Sequence, residues 1–268
     1  MRQPDSPPTP TELRQSITLK HGDIAQAGWA ARRRWRFGYF TPDDFYEALM
    51  NRFVQPETRW LDVGGGASLF PHHPTLAKEL AGRCRLLAGV DPSPNILANP
   101  FLHQRAQCPI EDYQTDQRFD LATFRMVAEH VADPPKVIEA LNRLLTPGGR
   151  VVIYTVNRRA PISLVARLTP FALHHPIKRL FWGGEEKDTF PVAYRMNTRR
   201  DLRRLFEQGG FEERLFLYLD DLAAFSQFRI LNWFELWAWR ALHALGLRYP
   251  ENCLLGVYQK PPANAAGS

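Results

Sequence analysis

"RWLDVGGGASLF", residues 59–70, decides how the chain is read. A short apolar run ends in Asp62, three glycines follow at 64 to 66, and small residues come next. A strand that opens into a glycine turn presents backbone N–H groups and lets a ligand come close. Two ligand classes compete for such a turn. The dinucleotide fingerprint is G-x-G-x-x-G, with an acid about 20 residues further on. Gly64 and Gly66 fill its first two positions, but Leu69 stands at the third and Asp62 has no place in the pattern.

Working outward, "RLLAGV" (85–90), "FDLATF" (119–124) and "RVVIYTV" (150–156) are short apolar runs bounded by Gly, Pro or Asp. Such runs suit strands buried on both faces. "PTLAKELAG" (74–82) and "PPKVIEALNRLLTPGG" (134–149) carry helical spacing, the second opening on prolines and stopping at a Pro-Gly-Gly. "TRRDLRRLFEQGGF" (198–211) is a further helix with Thr198 as N-cap, and "ERLFLYL" (213–219) and "CLLGVYQK" (253–260) read as two more strands. Strands alternating with helices imply an α/β chain with a parallel sheet.

The second run ends in Asp91, "LLAGVDPSP". A carboxylate at that strand end can accept both hydroxyls of a ribose; the plainer alternative is a helix N-cap. With Asp62 and the glycines this makes a constellation. "LDVGGGAS" resembles motif I of the class I S-adenosylmethionine-dependent methyltransferases, although Ser68 stands where many members have glycine. The resemblance continues through "GVDPS", through "FDLATFRMVAEHVADP" (119–134) and "LLTPGGRVVIYTVN", and into "YRMNTRRDLRRLFEQGGF". It implies a Rossmann-like fold: a seven-stranded, mostly parallel sheet with the last strand antiparallel, helices on both faces, and helical insertions.

The resemblance also implies the cofactor, S-adenosyl-L-methionine, and its contacts. Gly64, Gly65 and Gly66 run beneath the methionine part, and Asp62 orients the loop and the cofactor's amino group. Asp91, with Pro92 beside it, takes the ribose. In "AQCPIEDYQ" (106–114) Pro109 occupies the usual acidic position, which leaves the Ile110 backbone, Glu111 and Asp112 for the adenine. Arg125 and Met126, at the end of the fourth strand, face the cofactor. In the "EHV" string His130 is a candidate general base for a hydroxyl acceptor, since imidazole ordinarily titrates near neutral pH; the alternative is a packing histidine. The pairs His72-His73 and His174-His175 lack acids or cysteines at ligand spacing, so no metal is expected.

The chain has 268 residues, 44% of them hydrophobic and 23% charged, an ordinary globular composition. Lys and Arg outnumber Asp and Glu by 34 to 28. The excess is scattered apart from Arg32, Arg33, Arg34 and Arg36, which argues against a nucleic-acid partner, and no N-P-P-Y-type string occurs. Cys84, Cys108 and Cys253 are far apart and odd in number, so no disulfide framework or zinc knuckle is indicated. "MRQPDSPPTPTEL" has no apolar signal region and no run approaches a membrane span, so the cytoplasm is the expected location.

The expected organisation is a tail and helical lid over 1–50, the cofactor-binding domain over 51–260, and a disordered tail over 261–268. Residues 1 to 12 also read as a disordered end. In the lid, Arg36 or Tyr39 is placed to approach the cofactor's carboxylate. Insertions 157–197 and 221–248 are expected to form the site of a small-molecule acceptor. In "RILNWFELWAWRALHALGLR" one side is apolar: Ile230, Leu231, Phe234, Trp237, Ala238, Ala241, Leu242 and Leu245. Packing on the domain is the plain reading of such a helix; roofing an apolar acceptor, or peripheral membrane contact through 229–247, is the other. A dehydrogenase and a catalytically inactive family member are the rival readings of the whole chain.

Overall fold

The structure, a computed structural model, describes residues 5–160, 192–222, 225–248 and 250–263. The apolar runs form β1 (Arg59–Val63), β2 (Leu86–Val90), β4 (Phe119–Arg125), β5 (Leu145–Val156), β6 (Glu212–Leu219) and β7 (Cys253–Gln259), joined by a short β3 (Gln104–Ala106). They make one seven-stranded sheet in the order β3-β2-β1-β4-β5-β7-β6. β7 runs antiparallel to β5 and β6, and every other pair is parallel. The Rossmann-like architecture expected from the sequence is the one observed.

The described helices are α1 (Pro10–His21), α2 (Trp29–Phe37), α3 (Pro42–Phe53), α4 (Pro74–Arg83), α5 (Pro134–Leu144), α6 (Arg199–Gln208) and α7 (Arg229–Ala244). Successive strand side chains point to opposite faces, so β1 serves two cores. Trp60 packs with Tyr46, Leu49 and Met50 of α3 and with Leu76 and Leu80 of α4. Leu61 and Val63 pack with Val137, Ile138 and Leu141 of α5 and with Leu202 and Phe206 of α6. Asp62 therefore shares the face of Trp60, beneath α3. The strands before and after β1 in space, β2 and β4, leave it on opposite sides. That reversal opens a crevice at the carboxyl ends of β1 and β4, where α/β sheets bind ligands.

Two local expectations are corrected, and one strand is unforeseen. The helix expected over 134–149 stops at Leu144, because Leu145 already pairs with Phe119 in the sheet and Pro147 has no N–H to continue a helix. Residues 10–12 belong to α1 rather than to a loose end: Thr9 and Glu12 form a capping box, and Arg52 of α3 holds Glu12 at 2.8 Å. β3 is not foreshadowed by any apolar run, since Gln104 and Arg105 are exposed. Thr41 and Thr198 cap α3 and α6 as read from the sequence. Most of the 157–197 insertion, His174-His175 and residues 264–268 lie outside the described residues.

Candidate active site

Asp62, the penultimate residue of β1, is only 3% exposed and lies directly opposite Thr123 of β4. The Thr123 hydroxyl donates to Asp62 Oδ1 at 2.7 Å and accepts from the Trp60 indole N–H at 2.8 Å. One hydroxyl thus uses its donor on the acid and an acceptor lone pair on the indole. The other oxygen, Asp62 Oδ2, is buried with no hydrogen-bond partner among the described residues. Burial pushes the Asp62 carboxyl up to about 7, and the Asp91 charge adds to this; the Thr123 bond and Arg125 oppose it.

The glycine turn sits against that oxygen. A Cβ on Gly65 would lie 2.1 Å from Asp62 Oδ2, and one on Gly64 would lie 2.3 Å from Val127 Cγ2. Gly64 also has φ +71°, a conformation side chains resist. The turn is therefore a cradle of bare backbone, open where side chains would fill it.

Asp91, 7% exposed, clamps the turn to β2. Its Oδ2 accepts from the Gly66 N–H at 2.9 Å and its Oδ1 from the Ser93 N–H at 2.7 Å. It is not a helix N-cap. Ser93 caps the 3-10 turn Pro94–Ala98 instead, and Pro92 is an exposed link between them. Each Asp91 oxygen keeps a second lone pair for a ligand hydroxyl. Asn99, fully buried, fixes the turn from the far side by donating to Gly66 O at 3.2 Å.

Pro109 leads into a 3-10 turn, Ile110–Asp112. The Ile110 side chain is buried in the core beneath β2, while Glu111 is half-buried and its carbonyl accepts from Arg143. At the end of β4, Met126 holds φ +54°, a left-handed conformation rare for a side chain of this kind, fixed by its N–H donating to Tyr154 O at 2.7 Å. Arg125 lies over the Tyr154 ring and pairs with Asp43 of α3 at 2.8 Å. Burial works against its charge, but Asp43 outweighs burial and the guanidinium pKa is raised. Arg125 thus ties β4 to α3.

His130 is half-buried in the turn after β4, its N–H donating to Val127 O at 2.9 Å. Tyr39 and Arg36 lie elsewhere than the sequence reading put them. The Tyr39 hydroxyl, buried, donates to Asp220 O and accepts from the Leu222 N–H, both at 2.9 Å. Arg36 faces α7 rather than the crevice, lining a cleft with Trp29 and Trp233. Between α7 and the segment after β6 runs a groove of about 440 Å³, lined by Leu222, Phe225, Leu231, Phe234, Trp239 and the acid Glu235. Burial raises the Glu235 carboxyl to about 7, opposed by Asn232 and assisted by Asp221.

Thr123, Trp60, Asp43 and Asn99 are the site residues that sequence reasoning missed. Thr123 left one trace, a lone hydroxyl in an otherwise apolar strand. Among the described residues no group of His, Cys, Asp and Glu is arranged to hold a metal ion.

Comparison with known proteins sets this geometry in context. The profile of a family described as a methyltransferase domain matches residues 32–214. Ubiquinone biosynthesis O-methyltransferase of Pseudomonas aeruginosa is 30% identical over 164 residues, covering 55% of this chain and 68% of that protein. Its counterpart in Azotobacter vinelandii matches to the same extent. Among solved structures, a chain in the complex of the Haloferax volcanii Trm112 methyltransferase activator with a methyltransferase has a TM-score of 0.55 at 17% identity, covering 87% of this chain and 94% of that one. An S-adenosylmethionine-dependent methyltransferase of Listeria monocytogenes has a TM-score of 0.52 at 14% identity, covering 82% and 96%. At these identities the two structures speak for the fold.

Proposed function

This chain belongs to the methyltransferase-domain family and is an S-adenosylmethionine-dependent methyltransferase, and on that premise we propose that it methylates a small-molecule acceptor with an apolar body. The residues present fit the cofactor. The supporting observation is Asp62 Oδ2, a buried carboxylate oxygen without a partner among the described residues, at a cradle that any Cβ would fill. Such an oxygen calls for a cationic donor, and an amino group supplies one.

In this reading Asp62 holds the amino group, and Gly64, Gly65 and Gly66 pass beneath the methionine part. Asp91 accepts the ribose hydroxyls through its free lone pairs, with Pro92 at the edge. The Ile110 backbone and Glu111 flank the adenine, and Arg125 and Met126 wall the crevice on the β4 side. The bound cofactor supplies a methyl group on a positively charged sulfur, so alignment and exclusion of water are what remain for the protein.

The acceptor's apolar body lies in the groove beside α7, and His130, in the turn after β4, takes the proton of its hydroxyl. Oxygen as the acceptor atom is favoured by relatives named as O-methyltransferases. The stretch 229–247 touches a membrane interface, from which an amphipathic acceptor reaches the groove.

Calorimetric titration with S-adenosylhomocysteine and with NAD tests the donor side; binding of NAD alone overturns it. Mass spectrometry of a metabolite extract incubated with enzyme and cofactor tests the acceptor: a species gaining one methyl group is expected. His130→Gln is expected to lower kcat at least a hundredfold with little change in KM. An unchanged kcat removes His130 from the reaction.

A further inference from the structure

Projected at about 100° per residue, α7 presents Ile230, Phe234, Trp237, Ala241 and Leu245 on one side. The plain expectation packs that side on the domain. The structure turns it the other way: only Asn232 and Leu236 of the helix are buried. Ile230 is 72% exposed, Phe234 58% and Leu245 75%. Eight of the twelve large hydrophobic side chains that are exposed among the described residues fall between Phe228 and Leu247. A contiguous apolar surface of this kind marks a contact site.

One flank of this ridge is strongly basic. α2 lies alongside, and between the two helices is a cleft of about 530 Å³ lined by Trp29, Arg32, Arg33, Arg36, Arg229 and Trp233. Arg33 and Arg229 both sit over the Trp29 ring, at 4.9 and 5.7 Å from its centre. Burial and then the Arg229 charge lower the pKa of Arg33. None of these four arginines forms an ion pair among the described residues, whereas Arg34 of the same run pairs with Asp44 at 2.7 Å. Arg33 donates to the Arg229 carbonyl and to Asn232 Oδ1, neither of which carries a charge. Four guanidinium groups held together without an acid among the described residues suit an anion, and their forked donors match phosphate oxygens. On the opposite flank the acid of α7, Glu235, is turned into the groove.

We propose that the α2–α7 face docks on an anionic phospholipid bilayer, with the apolar ridge in the headgroup boundary and the arginine cleft on a lipid phosphate. This deepens the membrane contact assigned to 229–247, and it does not depend on methyl transfer. Apolar ridge, tryptophans at its edge and a basic flank are the features of a helix that lies in the membrane plane. No described helix is long and apolar enough to cross a membrane. A two-fold pair of this chain is the poorer occupant, since a self-complementary contact must answer the basic cleft from the same face, and the cleft's own lining holds no acid. Nucleic acid would leave the ridge uncovered.

Cosedimentation of the full chain with vesicles decides the matter. Binding is expected to vesicles of phosphatidylglycerol and phosphatidylcholine mixed, with a blue shift of tryptophan emission, and little binding to phosphatidylcholine alone. Arg32→Gln with Arg36→Gln should weaken partitioning roughly thirty-fold, from about 1 kcal/mol for each arginine near the surface. Trp233→Ser with Trp237→Ser should abolish it. Millimolar inorganic phosphate should not displace the protein, which separates a membrane site from a site for free phosphate.

Each variant must retain parental S-adenosylhomocysteine affinity, as a check on folding. Equal binding to both vesicle types, variants that partition like the parent, or a dimer lost in Trp233→Ser overturns the proposal. Retained S-adenosylhomocysteine binding without vesicle binding overturns it too, and leaves the methyl-transfer reading standing.

Discussion

Thr123 Oγ1 stands 2.7 Å from Asp62 Oδ1 across two adjacent parallel strands, and it leaves the second oxygen of that carboxylate buried without a partner among the described residues. The acid is half satisfied by the fold and half reserved. Removing a buried charge's only donor, or the charge itself, should have opposite effects on stability and a common effect on binding.

The pH dependence follows from the Asp62 carboxyl being raised from 3.8 to about 7. Between about pH 4 and pH 7 the folded chain keeps a proton that the unfolded chain has released, so stability without cofactor falls as pH rises through that window. Affinity for S-adenosylhomocysteine rises over the same window, because the carboxylate forms. Asp62→Asn should raise the melting temperature at pH 8 but not at pH 4, and weaken S-adenosylhomocysteine at least tenfold at pH 8. Calorimetry at several pH values checks both; a pH-independent difference in melting temperature refutes the assignment.

Thr123→Val keeps the shape of the strand and deletes the donor. The Trp60 indole N–H then loses its acceptor as well, for a loss of about 2 kcal/mol in chemical denaturation. Without the hydroxyl's donation the Asp62 carboxyl moves further up. The midpoint of the S-adenosylhomocysteine affinity profile should therefore shift to higher pH, a change that general loosening of the fold does not produce.

Gly65→Ala would place a Cβ 2.1 Å from Asp62 Oδ2. We expect affinity for S-adenosylhomocysteine to drop at least tenfold, with a stability loss of about 1–3 kcal/mol. Gly82→Ala, in α4 with nothing within 4 Å of its added methyl, is the matched control. It should be neutral or stabilising by up to about 1 kcal/mol.

Arg125→Met cuts the tether to Asp43. The pair is partly screened, so the global cost should be only about 1 kcal/mol. The local effect is larger: amides of α3 should exchange faster with solvent, and S-adenosylhomocysteine should dissociate faster with little change in association. Asp43→Asn should reproduce the pattern. If α3 exchange is unchanged in both variants, the lid is not held through this pair.

Where the sequence was legible, periodicity and punctuation carried the information. β1, β2, β4, β5 and β7 announce themselves as apolar runs because both faces are largely buried, β6 shows as an apolar run although it is a half-exposed edge strand, and Asp62 and Asp91 stand out as acids at the ends of such runs. β3 gave no such signal, being three residues at a sheet edge with two side chains in water. The pairing of Asp43 with Arg125 joins positions 82 apart, and local pattern holds no trace of it. α7 shows the limit most plainly. Its amphipathic projection identifies the apolar side, but which side meets the domain is decided by where Leu236 lands, against Tyr39 and Leu222.

That contact also orders the molecule in time. The crevice is built from residues that have all left the ribosome once β5, ending at Val156, has emerged. The Tyr39 hydroxyl, by contrast, must wait for Asp220 and Leu222, more than 180 positions later. During synthesis α3 can settle on β1 and pair through Asp43 with Arg125 before β6 exists, and only the stretch around Tyr39, at the end of α2, waits for β6 and the segment after it. The single phenol joins two stretches whose synthesis is separated by the whole of the cofactor crevice.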